Sequence, residues 1–195
     1  MLFRSSAAAV VGDNDGLIEN TAAAGTNEIV GFWSHLASAG LIEGAYGNVA
    51  NTTLSPSATP PNNPRSKINS AAWNIAHVGN MAVTGVGSPV AGATAPATST
   101  FYAGNYGNVL LLGGGSNALL PTGVLKSEEA WNLDTKMDDG RPDAGTVTTL
   151  ESQGSATAGA GCGNLATSTS ALAASSYDLT NTSNTACSMV FKTNY

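Results

Sequence analysis

Acidic side chains concentrate in two short stretches, and chemistry would concentrate there too. Asp13, Asp15 and Glu19 fall within Asp13-Asn14-Asp15-Gly16-Leu17-Ile18-Glu19. Hard cations require several oxygens at alternate loop positions, and a glycine permits the sharp turn. These three residues are the candidate ligands for calcium, the one cofactor the sequence suggests. The competing reading is an acidic turn without metal. Asp138, Asp139 and Asp143 gather around Gly140 and Pro142. They could bind a cation or pair with Lys136 and Arg141. The favoured reading is a helix stop, because Asp and Gly supply turn geometry.

Both stretches invite more specific comparisons. Asp13, Asp15, Gly16 and Ile18 fit positions of an EF-hand loop, but Val11 and Ala22 stand where the first ligand and the bidentate Glu belong. The Ala-rich run ending in Asp-x-Asp-Gly is similar to that of haloacid dehalogenase-type phosphatases. In those enzymes Asp13 would be the nucleophile, with Asp138 and Asp139 holding magnesium. Such a nucleophile ends a buried parallel strand, which reads as a continuous apolar run. Alanines, valines and Gly12 precede Asp13 instead, and strands and helices do not alternate along the chain. His35 has no nucleophile motif beside it, and Gly113 to Gly115 lack the Gly-Lys-Ser/Thr of a phosphate loop. The chain is expected to be non-catalytic.

The two cysteines, Cys162 and Cys187, are too few for a zinc site and stand far from His35 and His77. One disulfide is the natural reading for an exported chain, with two buried thiols as the alternative. Closing a loop of that length stabilises a fold by roughly 3 kcal/mol on chain-entropy grounds.

Composition narrows the class. Leu, Ile, Val and Phe make up 37 of 195 residues, which limits the chain to a small core. Charged residues are only 10%, so charge repulsion does not drive disorder. A small core with long polar loops is expected, in one domain spanning residues 1–195. The net charge of −6 argues against nucleic acid and against electrostatic membrane contact. No apolar stretch has the length of a membrane-spanning helix.

Two helices must position these residues. Ile29, Phe32, Trp33, Leu36 and Ala37 recur at helical spacing from Asn27, a candidate N-cap, to Gly40, a candidate stop. A second helix is predicted from Ser127, as N-cap, to about Met137, with Ala130, Trp131, Leu133 and Met137 on its apolar side. Phe32, Trp33, Leu36, Trp131 and Leu133 are the expected structural core. Residues 45 to 100 read as an irregular, variable insertion broken by prolines, with one short strand or turn near Trp73. Residues 100 to 112 read as a strand pair turning at Gly104 and Asn105. Gly145 to Leu150, Tyr177 to Leu179 and Cys187 to Lys192 read as strands.

Three stretches together resemble type IV pilins and type II secretion pseudopilins, the family with prepilin-type N-termini. They are Gly12 to Glu19, then Glu28 to Gly44 (Phe-Trp, Leu and Ala-Gly-Leu-Ile-x-Gly in order), then Glu129 to Gly145 (Asp-x-Lys-x-Asp-Asp-Gly-x-Pro). A C-terminal cysteine pair also recurs in that family. The resemblance covers about a third of the chain. It implies an α+β, pilin-like head with helices packed on a small antiparallel sheet, long loops and one disulfide. The family begins with a cleavage motif and a long apolar spine helix, which residues 1–195 do not contain, so membrane contact is expected only through such a helix.

The resemblance implies a structural subunit of an extracellular pilus-like filament or a secretion pseudopilus. Its partners would be copies of itself, repeated head-to-tail through a non-closing interface. Its location would be the bacterial surface, with periplasmic passage during assembly. The alternative is an adhesin-like module that binds a surface or glycan through its Ser/Thr/Asn loops. Sugar binding by an isolated, monomeric head would favour that alternative.

Overall fold

The computed structural model describes residues 15–18, 28–47, 61–81, 99–102, 104–114, 122–152, 161–164 and 176–193. The fold is α+β. Helix α1 runs Glu28–Ser38. Strands β1 (Ala72–His77), β2 (Asn80–Met81), β3 (Ser99–Thr100), β4 (Gly104–Asn105) and β5 (Asn108–Gly113) follow. Helix α2 spans Ser127–Met137, and β6 (Val147–Ser152), β7 (Gly163–Asn164), β8 (Ser176–Tyr177) and β9 (Ser188–Lys192) complete the order.

The main sheet has five strands in the order β1-β5-β9-β6-β3, with every pair antiparallel. The last strand in sequence, β9, therefore lies at the centre. Alternation along each strand sends successive side chains to opposite faces. Ala76, Val109, Leu111, Leu150 and Val190 face one way and pack with Ile29 of α1, Phe101 and Tyr106. Leu112, Val147 and Met189 face the other way and pack with Ala130 of α2, Tyr177 and both cysteines. The two helices thus cover opposite faces.

The sheet continues past a bend. Gly79 and Gly107 sit at φ +68° and +58°, a left-handed backbone that glycine adopts without steric cost. They carry β1 and β5 into the short pair β2–β4. Main-chain bonds cross the bend: Val78 N–H donates to Gly107 O at 2.9 Å, and Tyr106 N–H donates to Gly79 O at 2.9 Å.

Several expectations change. Residues 45 to 100 are not irregular throughout, since β1 is a full six-residue strand within them. Its near-continuous burial hides the polar alternation that marks a one-sided strand. Residues 100 to 112 do not fold back on each other: β3 joins β6, β4 joins β2, and β5 lies between β1 and β9. On α1, Ile29 is fully buried and Trp33 nearly so, while Phe32 and Leu36 are half-buried. Phe32 meets Trp33 edge-on, with ring centroids 5.0 Å apart.

Trp131 is not core: it is 37% exposed, and Met137 is 60% exposed. The helix buries Ser127, Ala130 and Asp134 instead. These small and polar residues bring α2 close to the sheet and leave Trp131 at the flank. Leu133 is half-buried against the core. The helix starts one residue away from expectation. Lys126 is the N-cap, and its N–H donates to Glu129 Oε2 at 2.9 Å.

The disulfide is formed between Cys162 and Cys187, with Cα atoms 4.8 Å apart and both residues buried. It stands beside the start of α2, where Ser127 Oγ donates to Gly161 O at 3.3 Å. Leu125 and Cys187 exchange main-chain bonds. The link therefore ties the segment leading into β7, the base of α2 and the central strand β9 together. No helix among the described residues is long and apolar enough to cross a membrane.

Candidate functional site

The turn from α2 into β6 gathers the acidic residues of the second stretch. One carboxylate oxygen from each of Asp134, Asp138 and Asp139 lies within 4.8 Å of the others, the one such convergence of acidic, histidine or cysteine ligands among the described residues. Sequence reasoning missed Asp134. Its signal was a polar residue on the helical stripe of Ala130, one turn further on.

Asp134 is fully buried. Its Oδ2 accepts the Tyr177 hydroxyl at 2.7 Å, and its Oδ1 accepts Gly140 N–H at 3.1 Å. Burial pushes its carboxyl above the usual range, and the two donors oppose that shift. Burial also raises the Tyr177 hydroxyl, with the Asp134 carboxylate adding to the effect. The tyrosine therefore stays protonated and donates.

Asp138 works on the sheet rather than on the helix. Its Oδ2 accepts the N–H groups of both Thr146 and Val147. Those donors lie at and just before the start of β6, and β3 pairs with β6 only at its far end, at Glu151 and Ser152. A side chain at position 145 is incompatible with this contact. Gly145 has φ +72°, and an added Cβ would fall 1.8 Å from Asp138 Oδ2. The Pro142 carbonyl covers the next edge group by accepting Thr149 N–H at 3.0 Å.

Asp139 and Asp143 bind locally. Asp139 Oδ1 accepts Arg141 N–H at 2.9 Å, a side-chain turn of the kind Asp forms with its own backbone. Arg141 donates to both Asp143 oxygens, at 3.3 and 3.2 Å. The expected helix stop is what the geometry shows, with the added role of capping a sheet edge. A cation would meet three carboxylates here, but Asp134 already accepts through both of its oxygens, and Asp138 and Asp139 through one each.

The first acidic stretch is only partly visible. Asp13 and Glu19 lie outside the described residues. Asp15 is exposed, and its Oδ1 accepts Leu17 N–H at 2.7 Å. Asn108 fastens the segment to the sheet, donating to Gly16 O at 3.1 Å and accepting Ile18 N–H at 3.3 Å. His77 N–H donates to Ile18 O at 2.6 Å. This docking lies at the end of the sheet where His77 of β1 pairs with Asn108 of β5. The phosphatase arrangement also lacks its frame, because the described strands pair antiparallel.

The remaining candidates are structural in place. Trp73 packs against Phe191 with ring centroids 5.7 Å apart. Gly114 pairs with Thr122, so the Gly run opens directly from a strand. His35 is half-buried on α1. Lys192 lies 4.4 Å over the Tyr106 ring, where burial lowers its pKa. Burial likewise raises the Tyr106 hydroxyl to about 12.

Comparison with protein-family models, with curated proteins and with solved structures finds no match to this chain.

Proposed function

We propose that this chain is the globular head of a structural, non-catalytic subunit in an extracellular type IV pilus-like filament or secretion pseudopilus. One observation carries the reading: the order of the parts. Among the described elements an apolar-faced helix comes first, an antiparallel sheet packs beneath it, and a disulfide pins the segment leading into the last strand. That order agrees with the family implied by the Phe-Trp and Asp-Asp-Gly-x-Pro blocks.

The disulfide supports an oxidising compartment for the mature protein. The acidic block supports a scaffold, since its carboxylates are engaged by backbone and tyrosine donors. Assembly would proceed by repeating one copy on the next through unlike surfaces, the arrangement that builds open filaments.

Electron microscopy of cell-surface material from the source organism, labelled with antibody against this chain, tests the proposal. Regular labelling along filaments is the expected result. Recovery of the chain only as dispersed monomers, with no labelled polymer at the surface, would reject it.

A further inference from the structure

The chain contains two Asp-Gly pairs, Asp15-Gly16 and Asp139-Gly140. This dipeptide rearranges without an enzyme. The glycine amide nitrogen attacks the aspartate Cγ and loses its proton, a carboxyl oxygen leaves as water, and a five-membered succinimide closes. Water then adds back to the ring. Opening at the side-chain carbonyl restores aspartate. Opening at the main-chain carbonyl gives isoaspartate, whose backbone runs through Cβ. Atoms balance over the two steps, and no oxidant or cofactor is required. Glycine favours the attack because it has no Cβ to crowd the approach.

Locally the two pairs are alike. Each aspartate accepts the N–H two residues on, Asp15 Oδ1 from Leu17 at 2.7 Å and Asp139 Oδ1 from Arg141 at 2.9 Å. Each glycine has a left-handed backbone, at φ +86° and +73°. Their surroundings differ. Gly140 N–H donates to Oδ1 of the buried Asp134 at 3.1 Å. A Cβ at Gly140 would fall 2.7 Å from Thr135 Oγ1 and 3.6 Å from Trp131 Nε1, so that turn is packed. Asp15 and Gly16 are exposed, and a Cβ at Gly16 would meet no atom within 4 Å. Among the described residues Gly16 is held by its carbonyl, which accepts Asn108 Nδ2 at 3.1 Å, and not by its amide.

We infer that Asp15-Gly16 is a site of spontaneous isoaspartate formation in the folded protein, while the fold shields Asp139-Gly140. Attack at Asp139 requires Gly140 to break a bond to a carboxylate and the packed turn to move, and the exposed pair meets neither barrier. Conversion at Asp15 has a structural consequence. It adds one backbone atom directly ahead of Gly16 O, Ile18 N–H and Ile18 O, the three groups that dock this segment on Asn108 and His77. It also relocates the carboxylate that accepts Leu17 N–H. Ile18 packs on the core cluster of the α1 face, so isoaspartate loosens the clamp that holds it there. The modification marks aged copies of the chain, and the inference is independent of the filament reading.

Ageing the folded 195-residue chain in mildly acidic buffer with gentle warming tests this. Aliquots are digested with a protease that cuts before aspartate and not before isoaspartate, and the peptides are separated and weighed. Isoaspartate should accumulate at residue 15 at least about tenfold faster than at residue 139, the factor that one hydrogen bond to a charged acceptor supplies. In denaturant, where neither pair is held, the two rates should converge. Hydrogen exchange should be faster at the Ile18 and His77 amides of converted chains, while the amides of β9 keep their protection.

Equal rates at the two sites of the folded chain overturn the inference, as does conversion of residue 15 in denaturant only. A difference that persists unchanged in denaturant overturns the shielding of Asp139. Converted chains whose Ile18 and His77 amides exchange as before overturn the loosening of the clamp.

Discussion

Replacing Asp134 with alanine and with asparagine should give two different outcomes. Alanine removes the acceptor for both the Tyr177 hydroxyl and Gly140 N–H. Hydrogen bonds to a charged group contribute about 1.5–3 kcal/mol each, and a buried donor left unpaired costs about 1–3 kcal/mol. Partial relaxation of the solvent-facing turn brings the expected loss to about 3 kcal/mol. For a chain of this size each kcal/mol moves the melting temperature by about 2–4 °C, so Asp134→Ala should melt roughly 6–12 °C lower. Asparagine should cost under about 1 kcal/mol, because its oxygen still accepts Gly140 N–H while its amide donates to a rotated Tyr177 hydroxyl. The pH dependence follows from the raised carboxyl. A carboxyl whose folded pKa lies above its unfolded value binds its proton more tightly when folded. Its favourable contribution is complete below the unfolded value of about 4 and fades as pH rises through the folded value. The parent should lose this contribution as pH rises, and Asp134→Asn should lack that component of the slope. Thermal melts monitored by circular dichroism between about pH 3 and 8 read both effects. Equal melting of the two variants at every pH would refute the assignment of Asp134 as a buried acceptor.

Gly145→Ala should destabilise the fold by at least about 2 kcal/mol, since it combines a left-handed backbone with a clash against Asp138; a denaturant titration measures it. Reducing the Cys162–Cys187 bond, or replacing both cysteines with serine, should cost about 3 kcal/mol, read as a lower denaturant midpoint. Ile29→Ala should cost about 2–4 kcal/mol and Trp131→Ala well under that, because the first side chain is fully buried and the second lies at the helix flank. Matching losses at the two positions would reverse the assignment of core and flank.

The helices were legible because each carried its own signals. Ile29, Trp33 and Leu36 mark a stripe, and Gly40 at φ +70° marks the stop. Asp138, Asp139, Gly140 and Pro142 mark the second stop with equal clarity. Strand partnership was not legible in the same way. The segment Ala-Trp-Asn-Ile-Ala-His shows no alternation because both of its faces are covered, and its prolines upstream suggested a loop. Phe101 and Tyr102 looked like half of a hairpin with residues 108 to 112, yet β5 finds its partners some 30 residues before it and 80 residues after it. Such long-range pairing is decided by burial across the whole sheet, which local turn chemistry does not encode. Trp131 misled for a related reason. Its size suggested an anchor, but α2 is seated by Ser127 and Ala130, and a bulky residue has no room at that contact.

The placement of Asp138 and Asn63 bears on how the sheet limits the addition of further strands. A sheet edge with free N–H and C=O groups is a template for pairing with another strand, and uncontrolled pairing leads to aggregation. Here Asp138 and Pro142 take the outward N–H groups of Val147 and Thr149 on β6. On β1, Trp73 N–H goes to Pro64 O, Trp73 O accepts Asn63 Nδ2 at 3.1 Å, and His77 N–H goes to Ile18 O. The carboxylate that engages the β6 donors comes from the turn that ends α2. The groups that engage β1 at Trp73 come from the proline-rich segment before it. Each of these strands thus has outward backbone groups satisfied within the chain, which withholds them from pairing with a further strand.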